Sequence, residues 1–196
     1  MRSKLLLVSL LLATAGVAQA SNTYTIDPDH TTVLASWDHR GYSRPSAHFG
    51  NVDGTLVYDA KNVGASSVEV TLPLSGLNSF VAKFDEHLRS ADFFNAPQFP
   101  VAKFKSTKVE QGAGARKLKV TGELTIRDVT KPVVLDVTLN KIGEGRGGAP
   151  MIGFDASTTI QRSDFGLGKY APNVGDAVQI RITTEASVPK PEGAAQ

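Results

Sequence analysis

The sequence predicts an all-β fold, an antiparallel sheet of about eight strands accompanied by one amphipathic helix. Three observations predict it. Apolar residues recur at every second position along most of the chain, and the positions between them are polar, so that nearly every strand has one dry and one wet face. Parallel sheets are covered on both sides and would read as continuous apolar runs instead. The alternation is interrupted once, by a segment of helical period. Composition agrees with a folded chain, because 41% hydrophobic and 20% charged residues in a chain of 196 are too apolar for disorder and too polar for life in a bilayer.

The elements follow in order. At the start, Arg2 and Lys4 precede an apolar run from Leu5 to Val17, and Ala18-Gln19-Ala20 supplies the small-x-small pattern of a signal-peptidase site. Residues 1–20 are therefore expected to be a signal peptide cleaved after Ala20. The run is shorter than the ~20 apolar residues that cross a bilayer, which makes a membrane anchor the poorer reading, and a soluble mature protein is expected. The leader holds two of the 21 basic residues and none of the 19 acidic ones, so the mature chain is balanced at 19 against 19. Such balance offers no electrostatic case for nucleic acid or for an anionic lipid surface.

Weak strands are expected at Tyr24 to Asp27, Gly54 to Tyr58 and Val101 to Val109. Clear ones stand wherever the dry face can be counted: Val33, Ala35, Trp37 and His39; Val68, Val70, Leu72 and Leu74; Leu118, Val120, Leu124 and Ile126, with Gly122 as the gap; Val133, Leu135, Val137 and Leu139; Ile152, Phe154, Ala156, Thr158 and Ile160; Val178, Ile180 and Ile182. From Ser79 to Ala91 the period changes. Phe80, Phe84, Leu88 and Ala91 recur at helical spacing, with Asn78 or Ser79 placed to cap, so one helix is expected against the sheet or over its mouth. Phe93, Phe94, Pro97, Phe99 and Pro100 then form an aromatic loop whose prolines forbid regular continuation. Residues 189–196 have nothing to bury and read as a disordered tail, leaving 21–188 as one domain. Alternation alone does not choose between a closed barrel, which can hold a small ligand, and a two-sheet sandwich, which packs its faces together and holds nothing.

Catalytic patterns are mostly missing. With no cysteine, the chain has no disulfide framework, thiolate metal site or cysteine nucleophile. There is no nucleophile elbow, paired-histidine zinc helix, phosphate loop or calcium loop. Gly143, Gly145 and Gly148 satisfy the dinucleotide spacing, but Ala149-Pro150 and an alternating strand follow where a helix is required, so they read as a hairpin loop. His30, His39, His48 and His87 are the available imidazoles, the first three at intervals of nine, which a shared site accommodates only if Gly41 to Pro45 turns the chain between them. A metal-dependent hydrolase using this set, with Asp85 beside His87, is the enzyme alternative. Ser163, Asp164 and His87 compose a triad on paper with nothing to place an oxyanion hole beside it. No catalytic residue, metal ligand or cofactor is assigned.

Six blocks carry a resemblance. Asp27-Pro-Asp-His30-Thr-Thr, Trp37-Asp-His39-Arg-Gly41, Asp85-Glu-His87-Leu-Arg-Ser90-Ala-Asp92-Phe-Phe94, Gly122-Glu-Leu-Thr-Ile126-Arg-Asp-Val-Thr-Lys-Pro132-Val, Arg162-Ser-Asp-Phe-Gly166 and Val174-Gly-Asp-Ala-Val178 resemble the YceI-like family in the same order, over almost the whole mature chain. The resemblance implies a lipocalin-like antiparallel barrel with a helix beside it, export to the bacterial periplasm, and an interior holding a long isoprenoid or other lipid tail. Trp37 stands where a phenylalanine is expected and Thr31 where a serine is commoner, changes that leave the fold intact and bear on pocket shape.

An apolar tail has no directional groups to recognise, so its binder needs a continuous dry tunnel and few polar contacts. Burying ten tail carbons is worth about 8 kcal/mol at ~0.8 per methylene, enough before ordering costs for roughly micromolar affinity. The expected walls are Trp37, Leu56, Val70, Leu72, Phe84, Leu88, Phe104, Leu124, Phe154 and Phe165, each of which would serve equally as plain core. His39, Arg89 and Arg162 are the head-group candidates, with local ion pairs (Arg162 to Asp164, Arg89 to Asp85 or Asp92) as the bland alternative. The expected function is a periplasmic carrier or reservoir for an isoprenoid lipid of quinone or polyprenyl phosphate type, without covalent chemistry. A stress-response structural module with a core filled by its own side chains is the third reading. Transient membrane contact and a homodimer stay open.

Overall fold

The computed structural model describes residues 21–145 and 147–189. The expected signal peptide and all of the expected tail but Pro189 lie outside them. The described strands are β1 (Asn22–Ile26), β2 (Thr32–His39), β3 (Ser46–Phe49), β4 (Asp53–Tyr58), β5 (Ser67–Pro73), β6 (Leu77–Asn78), β7 (Val101–Gln111), β8 (Lys117–Ile126), β9 (Val129–Glu144), β10 (Pro150–Gln161) and β11 (Val174–Ser187), with the helix α1 (Ala82–Arg89) between β6 and β7.

Eight of these strands close a ring in the order β1-β4-β5-β7-β8-β9-β10-β11, every neighbour antiparallel, and β1 returns to β11 through the pairs Thr25↔Ser187 and Ile26↔Ala186. The ring is a barrel, which excludes the sandwich. Its remaining strands prolong three of the staves. β2 continues beyond β1 along the same β11, from Thr32↔Thr183 to His39↔Val174, while β3 pairs with β2 and β6 with β3. Thus β1/β2, β3/β4 and β5/β6 are each one long strand bent once.

The bends have local causes. Pro28 opens a single 3-10 turn over Pro28–His30, a second such turn occupies Leu74–Gly76, and Asn51 adopts a left-handed φ of 56° between β3 and β4. Two of the bends nest: Gly50 donates its N–H to Gly76 O at 3.0 Å, and a Cβ on Gly76 would stand 2.3 Å from Gly50 O. Only a residue without a side chain tolerates that approach.

Inside the ring, the alternating apolar positions are the inward ones. Gly122, the gap in the dry face of β8, is filled from the neighbouring strand: the Phe104 ring lies where a Cβ of Gly122 would be, at 2.4 Å from it. β7 leaves β5 at Pro73↔Val101 and β6 has β3 as its partner, so the wall between β6 and β7 is completed by α1 and the loop after it. The helix is shorter than the periodicity suggests. Phe80 sits before it with a φ of 63° and is exposed, whereas Phe84 and Leu88 pack inward. Ser79 does not cap the helix with its own oxygen. Its N–H and hydroxyl donate to Asp85 Oδ1, at 2.6 and 2.5 Å, and this holds the Asp85 carboxyl below the usual carboxylate range.

Candidate functional site

The barrel is hollow. An inner chamber of about 190 Å³ lies toward the β4–β5 and β7–β8 connections, walled by Leu56, Val68, Val70, Phe104, Leu118, Val120, Val137, Phe154 and their neighbours. An outer chamber of about 450 Å³ lies under α1 and the β10–β11 loop, walled by Ala35, Trp37, Phe84, Leu88, Phe93, Phe94, Ile126, Ile160 and Val178 among others. Val33, Leu72, Leu124 and Ile180 line both. The chambers therefore adjoin within the barrel, and these four residues form the waist between them.

Nine of the ten expected wall residues come together here. Leu56, Val70, Phe104 and Phe154 line the inner chamber, Trp37, Phe84 and Leu88 the outer one, and Leu72 and Leu124 the waist. Phe165 does not. It is buried at 2% exposure in a separate cluster with Ile126, Ile160, Leu167 and Val178, under the 3-10 turn Arg162–Phe165 that closes this end. Two aromatic contacts stiffen the bore, Trp37 to Phe84 with ring centroids 5.9 Å apart and Tyr58 to Phe154 at 5.9 Å.

Its polar groups are few. In the inner chamber they are Tyr58, Ser66, Ser67, Thr158 and the pair Thr31 and Thr184, whose hydroxyls satisfy each other at 2.8 Å. In the outer chamber they are His39, Ser43, His87, Arg162 and Tyr170. His39 ends β2 on the dry face shared with Val33, Ala35 and Trp37, so the alternation that builds the wall carries it to the mouth.

The two arginines of the head-group expectation have other work. Arg162 is buried, and its guanidinium donates to the carbonyls of Gly175 (2.9 Å, from Nε), Lys169 (2.9 Å) and Leu167 (both from Nη1), and Val174 (2.8 Å, from Nη2). Burial pushes it below its ordinary value, with Asp176 opposing. Arg89 does not line the bore; it donates to the carbonyls of Leu74 (3.0 Å), Ser75 (3.4 Å) and Leu77, tying α1 to the β5–β6 bend. Neither forms the acidic pair that served as the alternative. Each turns its donors to backbone carbonyls, Arg162 in the β10–β11 loop and at the start of β11, Arg89 at the β5–β6 bend.

Across the mouth, the segment after α1 meets the β10–β11 loop. Lys169 pairs with Asp92, which lies 3.9 Å from His87 Nε2, and the His87 ring packs edge-on against Phe93 (5.0 Å) and Tyr170 (6.3 Å). The Lys169 hydrogen bond holds the Asp92 carboxyl below its usual range, and the Lys169 ammonium is raised in turn. Sequence reasoning missed this cluster because Tyr170 and Lys169 lie in an irregular loop with no periodic signal, and the mouth-lining position of His87 depends on which way α1 docks.

The histidines do not assemble. His39 and His87 line the mouth, whereas His48 alternates with the buried Ala47 and Phe49, and exposed His30 hydrogen-bonds Asp27 at 2.8 Å. Among the described residues the one metal-capable group of three is Asp27, His30 and Glu185, with ligand atoms within 4.8 Å of one another, and it includes a single histidine. The paper triad is not formed either, since Ser163 donates its hydroxyl to Asp176 at 2.6 Å.

A closed antiparallel ring with an apolar bore and a helix completing its open side is a lipocalin-like barrel, one of the hollow β-architectures. The family model for the YceI-like domain matches residues 24–186, and the chain belongs to that family. It is 37% identical over 189 residues to a UPF0312 protein of Enterobacter sp. (strain 638), covering 94% of this chain and 97% of that one. The protein YceI of Salmonella arizonae is 35% identical over 179 residues, 91% and 93% of the two chains. Among solved structures, the YceI protein of Campylobacter jejuni superposes with a TM-score of 0.71 at 28% identity, covering 78% of this chain and 90% of that one. Two more distant neighbours share the fold: Burkholderia cenocepacia BcnA (TM-score 0.74, 24% identity, 82% and 98% covered) and a polyisoprenoid binding domain from Saccharophagus degradans (TM-score 0.66, 12% identity, 85% and 98% covered).

Proposed function

We propose that the protein is a periplasmic carrier or reservoir for a long-chain isoprenoid-type lipid, held with its tail in the barrel and released unchanged. The observation that carries this reading is the pair of largely apolar chambers that adjoin at Val33, Leu72, Leu124 and Ile180. The outer chamber alone falls within the ~300–1,000 Å³ typical of ligand sites, and walls that are apolar over most of their area suit a long apolar tail. The polyisoprenoid binding described for the S. degradans domain supports the same class of guest. Export through the leader expected at residues 1–20, and delivery of the guest by brief contact with a membrane, are part of the proposal. Tyr42, Phe80, Val81 and Tyr170 stand exposed on the segments that frame the outer chamber, and such side chains suit a bilayer interface.

The test is lipid extraction from protein purified out of its native host, with mass spectrometry of the extract, beside titration of the emptied protein with a fluorescent polyprenyl probe. A near-stoichiometric prenyl lipid and saturable probe uptake are expected. An empty extract together with no uptake sinks the proposal. Cell fractionation tests the compartment separately.

A further inference from the structure

We infer that Asp27, His30 and Glu185 bind a divalent transition-metal ion of the zinc class on the outer wall of the barrel, and that the bound ion fastens the end of β1 to β11. The inference concerns a site outside the bore and stands apart from the carrier reading.

The donor set is mixed, one imidazole nitrogen with two carboxylate oxygens, and its atoms all lie within 4.8 Å of one another. Zn2+ takes such ligands at about 2.0–2.2 Å, with water completing a tetrahedron. Ligands around one tetrahedral ion stand about 3.3 Å apart, so small side-chain rotations bring the three onto it. His30 Nδ1 and Asp27 Oδ2 are already 2.8 Å from each other.

The backbone sets this geometry. Asp27 donates its N–H to Glu185 O at 2.9 Å, next to the pair Ile26↔Ala186, so two ligands come from facing strands. Pro28 opens the 3-10 turn that brings His30 back over Asp27, and the Asp29 N–H holds Asp27 Oδ1 at 2.9 Å, which leaves Oδ2 to the imidazole. Ile26, Thr31 and Thr184 line the inner chamber, and alternation turns Glu185 to the opposite face of β11.

Charge points the same way. Asp27 and Glu185 are half-buried, and Glu185 and Asp29 both act on the His30 ring through their charge. Among the described residues no Lys or Arg pairs with any of these three carboxylates. A divalent cation neutralises what the side chains leave uncompensated. On binding, the His30 proton resides on Nε2 and Nδ1 turns from donor to ligand. The ion then ties together the closure of the ring, which β1 and β11 otherwise make through the pairs Thr25↔Ser187 and Ile26↔Ala186.

Protein purified without a histidine tag and stripped with chelator is to be titrated with ZnCl2 by calorimetry, and its thermal unfolding followed at each zinc concentration. One site with a Kd of about 10 µM or tighter is expected, with Tm raised by about 5 °C at a hundredfold excess over Kd. Mg2+, which keeps its waters and prefers oxygen ligands, is expected to do neither. Glu185→Gln and His30→Gln should each weaken zinc at least tenfold, and the metal-free Tm of Glu185→Gln should stay close to that of the wild type, which separates loss of a ligand from loss of the fold. No zinc binding below about 1 mM, or binding that both variants leave unchanged, overturns the inference. Lipid uptake is read in a separate assay, so failure of the carrier reading leaves this result distinct.

Discussion

Leu124 and Leu72 sit at the waist, where the two chambers adjoin. Leu124→Trp should fill that space from within. Binding of long-tailed prenyl probes is expected to weaken at least tenfold while short-tailed ones are little affected, read from a tail-length series. Because the new ring enters a void, the midpoint of urea unfolding should move less than the ~1–3 kcal/mol that overpacking costs in a filled core. Arg162→Met is a contrasting change. It leaves the carbonyls of Leu167, Lys169, Val174 and Gly175 without their donors, and a loss of about 3 kcal/mol in denaturant-measured stability is expected. His30 makes a pH prediction. The Asp27 hydrogen bond raises the imidazole above its ordinary 6.5 and lowers the Asp27 carboxyl below 3.8. Their pairing is therefore fully present between those two reference values. It fades as pH rises through the raised His30 value or falls through the lowered Asp27 value. NMR titration should find the His30 midpoint above 6.5, and Asp27→Asn should return it toward that figure.

The elements that frame the mouth are held more weakly than the ring. α1 spans Ala82–Arg89 and is joined to the barrel by the Arg89 bonds, by Phe84 and Leu88, and across the opening by the Asp92–Lys169 pair. That pair is exposed, so it steers the rate of opening more than the depth of binding. Lys169→Gln is expected to speed release of a bound probe a few-fold in stopped-flow displacement, with a smaller change in affinity. In wild type the same acceleration should appear on acidification, since Asp92, whose carboxyl is lowered, keeps the latch until pH falls through its own value. The bent staves show how local chemistry serves a larger shape: Pro28, Asn51 and the Gly50/Gly76 contact each end a run of alternation and let the wall turn without losing its pairing.

Around the ring, pairing is densest from β7 to β11 and thinnest at the closure, where β1 meets β11 through two register pairs against eleven between β10 and β11. Hydrogen exchange should be slowest along β9, β10 and β11 and fastest in β6 and α1, the short elements that complete the open side. Strand identity was legible because each dry face could be counted residue by residue, and even the gap at Gly122 marked a real inward position, occupied by Phe104. The helix was legible from Phe84 and Leu88, though not the reversal of Phe80, which a left-handed φ turns outward. Seven of the wall residues lie on strands, where alternation marks inward positions, and Phe84 and Leu88 lie on α1, where helical spacing does. Phe165 stands apart from both chambers, since it belongs to the 3-10 turn Arg162–Phe165 rather than to a strand. Period is a property of neighbours along one chain, so it marks the oily faces without reference to the fold. That those faces enclose a space instead of meeting, and that Arg89 and Arg162 turn to the backbone, follows from ring closure and from carbonyls brought together by residues far apart in the chain, which no local pattern carries.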